Sequence, residues 1–276
     1  MPLFMTQFSK YTKESYFLLI ALFLFVGACD NPKESRTSSP EAPNEDIRFE
    51  YSMTKISERA NDCSSQSCSE VIINLPTFTK GISLHETLNK RVTQNVKKNL
   101  SDLVMQDTEP DLSLTELARR FIQSHEEFKA NFPESTSPWY VHIDVLVGYS
   151  TDAFVSLSVA TSSYTGGAHP NSMVEYINIS KKGEVIEEPD FFVSSENELK
   201  NLAEQKFRQT FDIPDSLTYA DKGYLFENNE FQLTSNFGFT KAGMVFYYNS
   251  YEIAPYAMGP SVLIIPFHEL NDLISQ

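Results

Sequence analysis

The apolar positions of this chain change period several times along its length, and each change predicts an element. From Tyr16 to Val26 they run uninterrupted and stop at Gly27-Ala28-Cys29. Phe49 to Ile56 alternates as a half-buried strand does, and Glu70-Val71-Ile72-Ile73-Asn74-Leu75 reads as a second strand that Pro76 is expected to end. From Ile82 the period becomes four: Leu84, Leu88, Val92, Val96, Leu100 and Val104 mark one face of an amphipathic helix. Ser113 with Glu116 forms a capping box that opens a second helix, striped by Leu114, Leu117, Phe121, His125, Phe128 and Phe132. On that stripe His125 reads as a core-edge residue.

Alternation then returns. Trp139, Val141, Ile143, Val145 and Val147 share one face, and Phe154–Tyr164 repeats the pattern, so the two predict an antiparallel pair. Met173–Ser180 and Gly183–Ile186 flank a Lys181-Lys182-Gly183 turn, the grammar of a hairpin. Ser195 with Glu198 opens a third helix on Leu199, Leu202, Phe207 and Phe211. After a long loop, strands are expected over Phe231–Phe237, Met244–Tyr248 and Val262–Ile265, then a last short helix over Phe267–Ile274. The order ββααββββαβββα is that of an α+β protein of antiparallel sheets with helices packed on one face.

Of 276 residues, 41% are hydrophobic and 21% charged, which suits a globular chain and excludes collagen, coiled coil and a polytopic membrane protein. The net charge of −15 disfavours nucleic acid as partner, because Lys and Arg supply most affinity for phosphate. It favours a cationic one.

Lys10 and Lys13 ahead of the apolar run, and the small residues behind it, form the three parts of a secretory signal. Eleven apolar residues are too few for a comfortable membrane span. Val26-Gly27-Ala28-Cys29 resembles the lipobox of bacterial lipoproteins, which implies cleavage before Cys29 and lipid on its sulfur. Several acyl chains would anchor firmly, each buried methylene contributing about 0.8 kcal/mol. The expected location is the cell envelope, at the outer membrane, facing the periplasm or the surface. Residues 1–28 hold Lys10, Lys13 and Glu14, so their loss takes the charge from −15 to −16 and the acidity belongs to the exported part. Residues 30–46 contain three prolines and one apolar residue, Ala42, too little to offset ordering entropy. They form a tether spanning roughly 20–25 Å as a flexible coil.

Cys63 and Cys68 are the remaining thiols, and in an exported chain an even, closely spaced pair reads as a disulfide pinning a turn between strands. Half a zinc site is the alternative. It lacks a second Cys pair, and none of the five histidines stands at ligand spacing from another, so neither a metal nor a cofactor is expected.

Tyr164-Thr165-Gly166-Gly167-Ala168-His169-Pro170, Gly183–Phe192, Phe239–Tyr248 and Tyr251–Pro260 concentrate Gly, Pro, His and aromatics, and the run Thr240–Leu270 spans most of the last two. Together with the Cys63-to-strand pattern, these segments resemble the paired extracytoplasmic domains of the RsiV family of anti-sigma factors, also found ahead of the deacetylase domain of PdaC. The resemblance covers about residues 48–276. Beyond the leader over 1–28 and the tether over 29–47, it implies a PdaC N-terminal-like α+β domain over 48–170 and an RsiV C-terminal-like α+β domain over 171–276, as two interlocked subdomains. It also implies an envelope-exposed module that binds lysozyme, a cationic hydrolase whose encounter with an acidic body would be steered electrostatically. Neither sigma-factor binding nor deacetylation carries over. Lipid on Cys29 is expected here in place of a spanning helix, and the sequence contains neither Thr-Phe-Asp-Asp nor His-x-x-x-His.

Tyr164, Gly166, Gly167, His169, Tyr251 and Tyr256 are therefore the candidate binding residues, and no catalytic residue is expected. His169 also reads as a cap on its own turn, and the tyrosines as packing over a sheet edge. Ser52-Met53-Thr54-Lys55 fits S-x-x-K without its partner motifs, and Glu187-Glu188-Pro189-Asp190 reads as a solvated acidic turn. The leading expectation is a lipid-anchored, non-catalytic binding module for lysozyme or peptidoglycan. The alternatives are a cell-wall or carbohydrate hydrolase using His169 with an acidic partner, and a scaffold lipoprotein of an envelope complex.

Overall fold

Two strands separated by two helices set the architecture. β1 (Glu50–Arg59) turns back antiparallel onto β2 (Glu70–Lys80), and the chain then forms α1 (His85–Ser101) and α2 (Leu114–Asn131) before β3 (Tyr140–Ser150) pairs with β2. A helical crossover returns the chain to the end at which β2 began, so β2 and β3 are parallel, and the sheet is mixed where the alternation alone predicts an antiparallel one. β4 (Phe154–Tyr164), β5 (Asn171–Ser180) and β6 (Val185–Ile186) add by antiparallel hairpins and complete a six-stranded sheet in sequence order. The computed structural model describes residues 50–61, 68–80, 85–104, 111–135, 137–270 and 273. The leader, the tether, Cys29, Cys63 and Leu84 lie outside the described residues.

Pro76 does not end β2. It stands within the strand opposite Met53, because β3 partners β2 only over Glu70–Asn74 and beyond this the second edge of β2 needs no N–H. α1 and α2 cover one face of this sheet. Leu88, Val92, Val96 and Leu100 from α1 and Leu117 and Phe121 from α2 bury against Val71, Ile73, Val141, Ile143 and Leu157. The α2 capping box is complete in both directions, Ser113 accepting from the Glu116 N–H and the Glu116 carboxylate accepting from the Ser113 N–H. His125 is buried on α2, its Nδ1 2.8 Å from Ser69 Oγ.

A second core mixes a dense cluster of aromatic rings with aliphatic side chains such as Leu199, Leu263 and Ile265. α3 (Glu196–Thr210) inserts Phe207 among Tyr219, Tyr224, Phe226, Phe231 and Tyr248 at centroid distances of 5.0–6.1 Å. Ser195 caps α3 by accepting the Glu198 N–H at 3.3 Å, but among the described residues the return bond of a full box is not made. The strand expected over 231–237 begins only where that range ends: Phe231 and Leu233 are apolar because they feed the ring cluster from an irregular segment. β7 (Phe237–Thr240), β8 (Gly243–Tyr248) and β9 (Ser261–Pro266) form a three-stranded antiparallel sheet, followed by α4 (Phe267–Leu270).

The two sheets close on each other at Gly238, where an added Cβ would collide with the ring of Tyr176 and stand 2.9 Å from Ser156 Oγ. The backbone approach is close enough for Phe239 N–H to donate to Ser156 Oγ at 2.8 Å and for Asn178 to donate to the Phe237 carbonyl at 2.9 Å.

Candidate functional site

The loop joining β4 to β5 and the turn after β8 meet at the surface. His169 from the first stacks on Tyr256 from the second, ring centroids 3.9 Å apart and planes 17° from parallel. Tyr251 stacks on Tyr256 at 5.5 Å and 29°. The Pro170 carbonyl, which can only accept, takes the Tyr256 hydroxyl at 3.1 Å and lies 2.9 Å from His169 Nδ1. The proton is thereby placed on Nδ1, and Nε2 is left to accept from the Tyr251 hydroxyl at 3.4 Å. Three of the residues singled out in the sequence thus form one exposed stack, and Tyr251 is 63% exposed.

Each arm of the stack is held from behind. Gly166 and Gly167 both adopt φ of +99°, open to glycine and strained for other residues, which lets the loop double back so that the Tyr164 hydroxyl donates to the Gly167 carbonyl at 3.1 Å. Tyr251 itself sits at φ +73°, a conformation that costs a side-chain-bearing residue on the order of 1–2 kcal/mol. The turn carrying it is fastened to β5 by Asn249, whose amide engages both backbone groups of Val174. Asn236 does the same one step along, accepting from Tyr176 N–H and donating to the Val174 and Tyr247 carbonyls.

Tyr164 shares the loop but not the stack. Its ring lies on the sheet beside Tyr140 at 6.3 Å, and Tyr140 lies beside His142 at 5.0 Å. His142 Nε2 stands 2.9 Å from a carboxylate oxygen of Glu70, whose other oxygen takes Arg59 at 2.6 Å. Burial draws Glu70 upward, but hydrogen bonds from His142 and Arg59, and their charges, outweigh it and hold the carboxyl below its ordinary value. Glu70 and His142 are 72 positions apart and share no motif, so only strand register joins them. Among the described residues, His169 has no carboxylate partner, no three-residue His, Cys, Asp or Glu group could hold a metal, and no helix is long and apolar enough to cross a membrane.

The sequence model of the deacetylase PdaC family matches residues 63–172, and that of a family of proteins of unknown function, DUF3298, matches residues 189–268. The chain carries a PdaC domain followed by a DUF3298 domain. Two solved structures share its fold. A DUF3298 family member from Bacteroides fragilis is 20% identical, with a TM-score of 0.63 over 82% of this chain and 94% of that one. A DUF3298 family protein from Pseudomonas aeruginosa is 21% identical, with a TM-score of 0.57 over 83% of this chain and 95% of that one. No curated protein matches the chain. His169 falls in the PdaC match and Tyr251 and Tyr256 fall in the DUF3298 match, so the stack is assembled across the seam between the two.

Proposed function

We propose that this chain is a non-catalytic binding module of the cell envelope, anchored by lipid on Cys29, braced by a Cys63–Cys68 disulfide, and able to take a cationic protein ligand on the His169–Tyr251–Tyr256 stack. The observation that carries the reading is an exposed tyrosine held at positive φ on a ladder of rings drawn from two domains. Backbone strain persists only where its surroundings over-determine it, and such positions cluster at ligand contacts. Rigid aromatic faces anchor protein interfaces at low entropic cost. The resemblance to RsiV makes lysozyme the first ligand to try, and a charge of −16 beyond the leader supports a basic partner.

Binding of lysozyme to the protein, measured by calorimetry at low and moderate salt, tests the reading. The expected result is saturable binding that weakens with salt and is lost in Tyr251→Gly. Absence of binding at both salts removes this class of partner, and peptidoglycan fragments binding at the same stack would make the ligand a glycan. Cys29→Ser is expected to move the protein from the membrane to the soluble fraction.

A further inference from the structure

A polar cleft lies along α3, and none of its lining residues belongs to the aromatic stack. The flank of this helix borders an open cleft of about 570 Å³. Two parallel rows line it. Asn201, Gln205 and Gln209 recur every four residues, which sets three amides along about 12 Å of one helical stripe. Glu204 and Arg208 follow the adjacent stripe with the same spacing, and Asp212, past the end of the helix, lies 3.6 Å from Lys222 Nζ.

The charged row is fixed from beneath. The Arg208 guanidinium lies 4.3 Å over the ring of Tyr219, Nη1 donates to the Leu217 carbonyl at 3.3 Å, and Nε stands 3.7 Å from Glu204 Oε1. The same Oε1 accepts the hydroxyl of the buried Tyr219 at 2.6 Å. These contacts use one carboxylate oxygen of Glu204 and leave the other. Among the described residues, the side-chain amides of Asn201, Gln205 and Gln209 make no hydrogen bond. The cleft therefore presents a row of unspent amide donors and acceptors beside a fixed Glu204–Arg208 pair.

Each class of ligand meets that array differently. An anion would face Glu204, and a bare cation would face Arg208. An apolar molecule would strand the amides and both charged heads without partners, and each polar group it buried would oppose its binding. Vicinal hydroxyls both donate and accept at each position, and they are matched by paired amide and carboxylate groups. We propose that the α3 cleft is a binding site for a neutral saccharide, with Glu204 and Arg208 gripping one sugar and the Asn201–Gln205–Gln209 row extending the contact along the chain.

Titration of the protein with chitotriose and with maltotriose, followed by calorimetry and by amide NMR shifts, tests the proposal. At least one probe is expected to bind saturably, with shifts centred on residues 201–212. Combined Asn201→Ala, Gln205→Ala and Gln209→Ala replacement, at exposed positions, is expected to weaken it by about tenfold or more while leaving the melting temperature unchanged. Glu204→Gln retains an acceptor for Tyr219 and is expected to weaken binding without unfolding the floor. Tyr251→Gly is expected to leave it intact, which separates this site from the aromatic stack. No saturable binding of either probe, or binding that survives the triple replacement, overturns the proposal.

Discussion

Asn249 clasps Val174 from both sides, its Oδ1 accepting the Val174 N–H at 2.8 Å and its Nδ2 donating to the Val174 carbonyl at 3.1 Å. β6 covers the outer edge of β5 only at Asn178 and Ile179, so Val174 and Tyr176 would otherwise present unpaired strand groups there. Two side-chain amides stand in for a missing strand. Asn249→Ala and Asn236→Ala are each expected to lower stability by about 1–3 kcal/mol, since part-buried backbone groups lose their partners. Hydrogen exchange at the Val174 amide (Asn249→Ala) and the Tyr176 amide (Asn236→Ala) should accelerate, which checks the assignment residue by residue.

Gly238 is expected to accept no side chain without a shift of its neighbours. In Gly238→Ala the methyl would enter the Tyr176 ring and force the sheets apart, a form of overpacking that costs about 1–3 kcal/mol. Urea denaturation would show this as a lowered midpoint, and Gly167→Ala, with open space around its Cβ, should lose only the smaller cost of its positive φ.

His125 should make the first core acid-sensitive. Burial is the main cause that holds its imidazole below the ordinary value of 6.5, with Lys129 adding to it. The unfolded chain then binds the proton more readily than the folded one, so stability is full above that value and falls as the pH drops below it. Melting temperature measured from neutral pH downward should decline less steeply in His125→Gln than in the parent protein. An identical slope in both would refute the assignment.

Tyr251→Gly separates stability from binding. Removing the side chain relieves a left-handed backbone, worth on the order of 1 kcal/mol, while it deletes an exposed ring of the stack. The variant should melt at or near the parent temperature and fail to bind lysozyme. The single tryptophan, Trp139, lies under Gly166 with its Nε1 4.0 Å from that residue's ideal Cβ position, so its fluorescence offers a readout of any movement of the loop.

Local periodicity carried most of the element order. The Ser113–Glu116 box, the four-residue stripe of α1 and the β4 alternation are short-range patterns, and each element stands where its pattern does. Pro76 and Phe231 misled because burial and pairing at those points are set by distant neighbours: the short reach of β3 in one case, the ring cluster around Phe207 in the other. Of the candidate site, His169, Tyr251 and Tyr256 were visible as residue types in glycine- and proline-rich turns. Asn236, Asn249, Glu70 and His142 were not, because an asparagine that mimics a strand and a carboxylate that meets an imidazole are recognisable only once the partner is in reach.

The amino-acid sequence by itself determined the succession of strands and helices, their caps and the acidity of the chain, since these depend on contacts within a few residues or on composition alone. Tertiary structure decided the parallel β2–β3 pairing, the closure of the sheets over Gly238 and the joining of His169 to Tyr251 and Tyr256. Each of those unites residues far apart along the chain, and the free energy that selects them comes from packing and hydrogen bonding that exist only after the chain has folded.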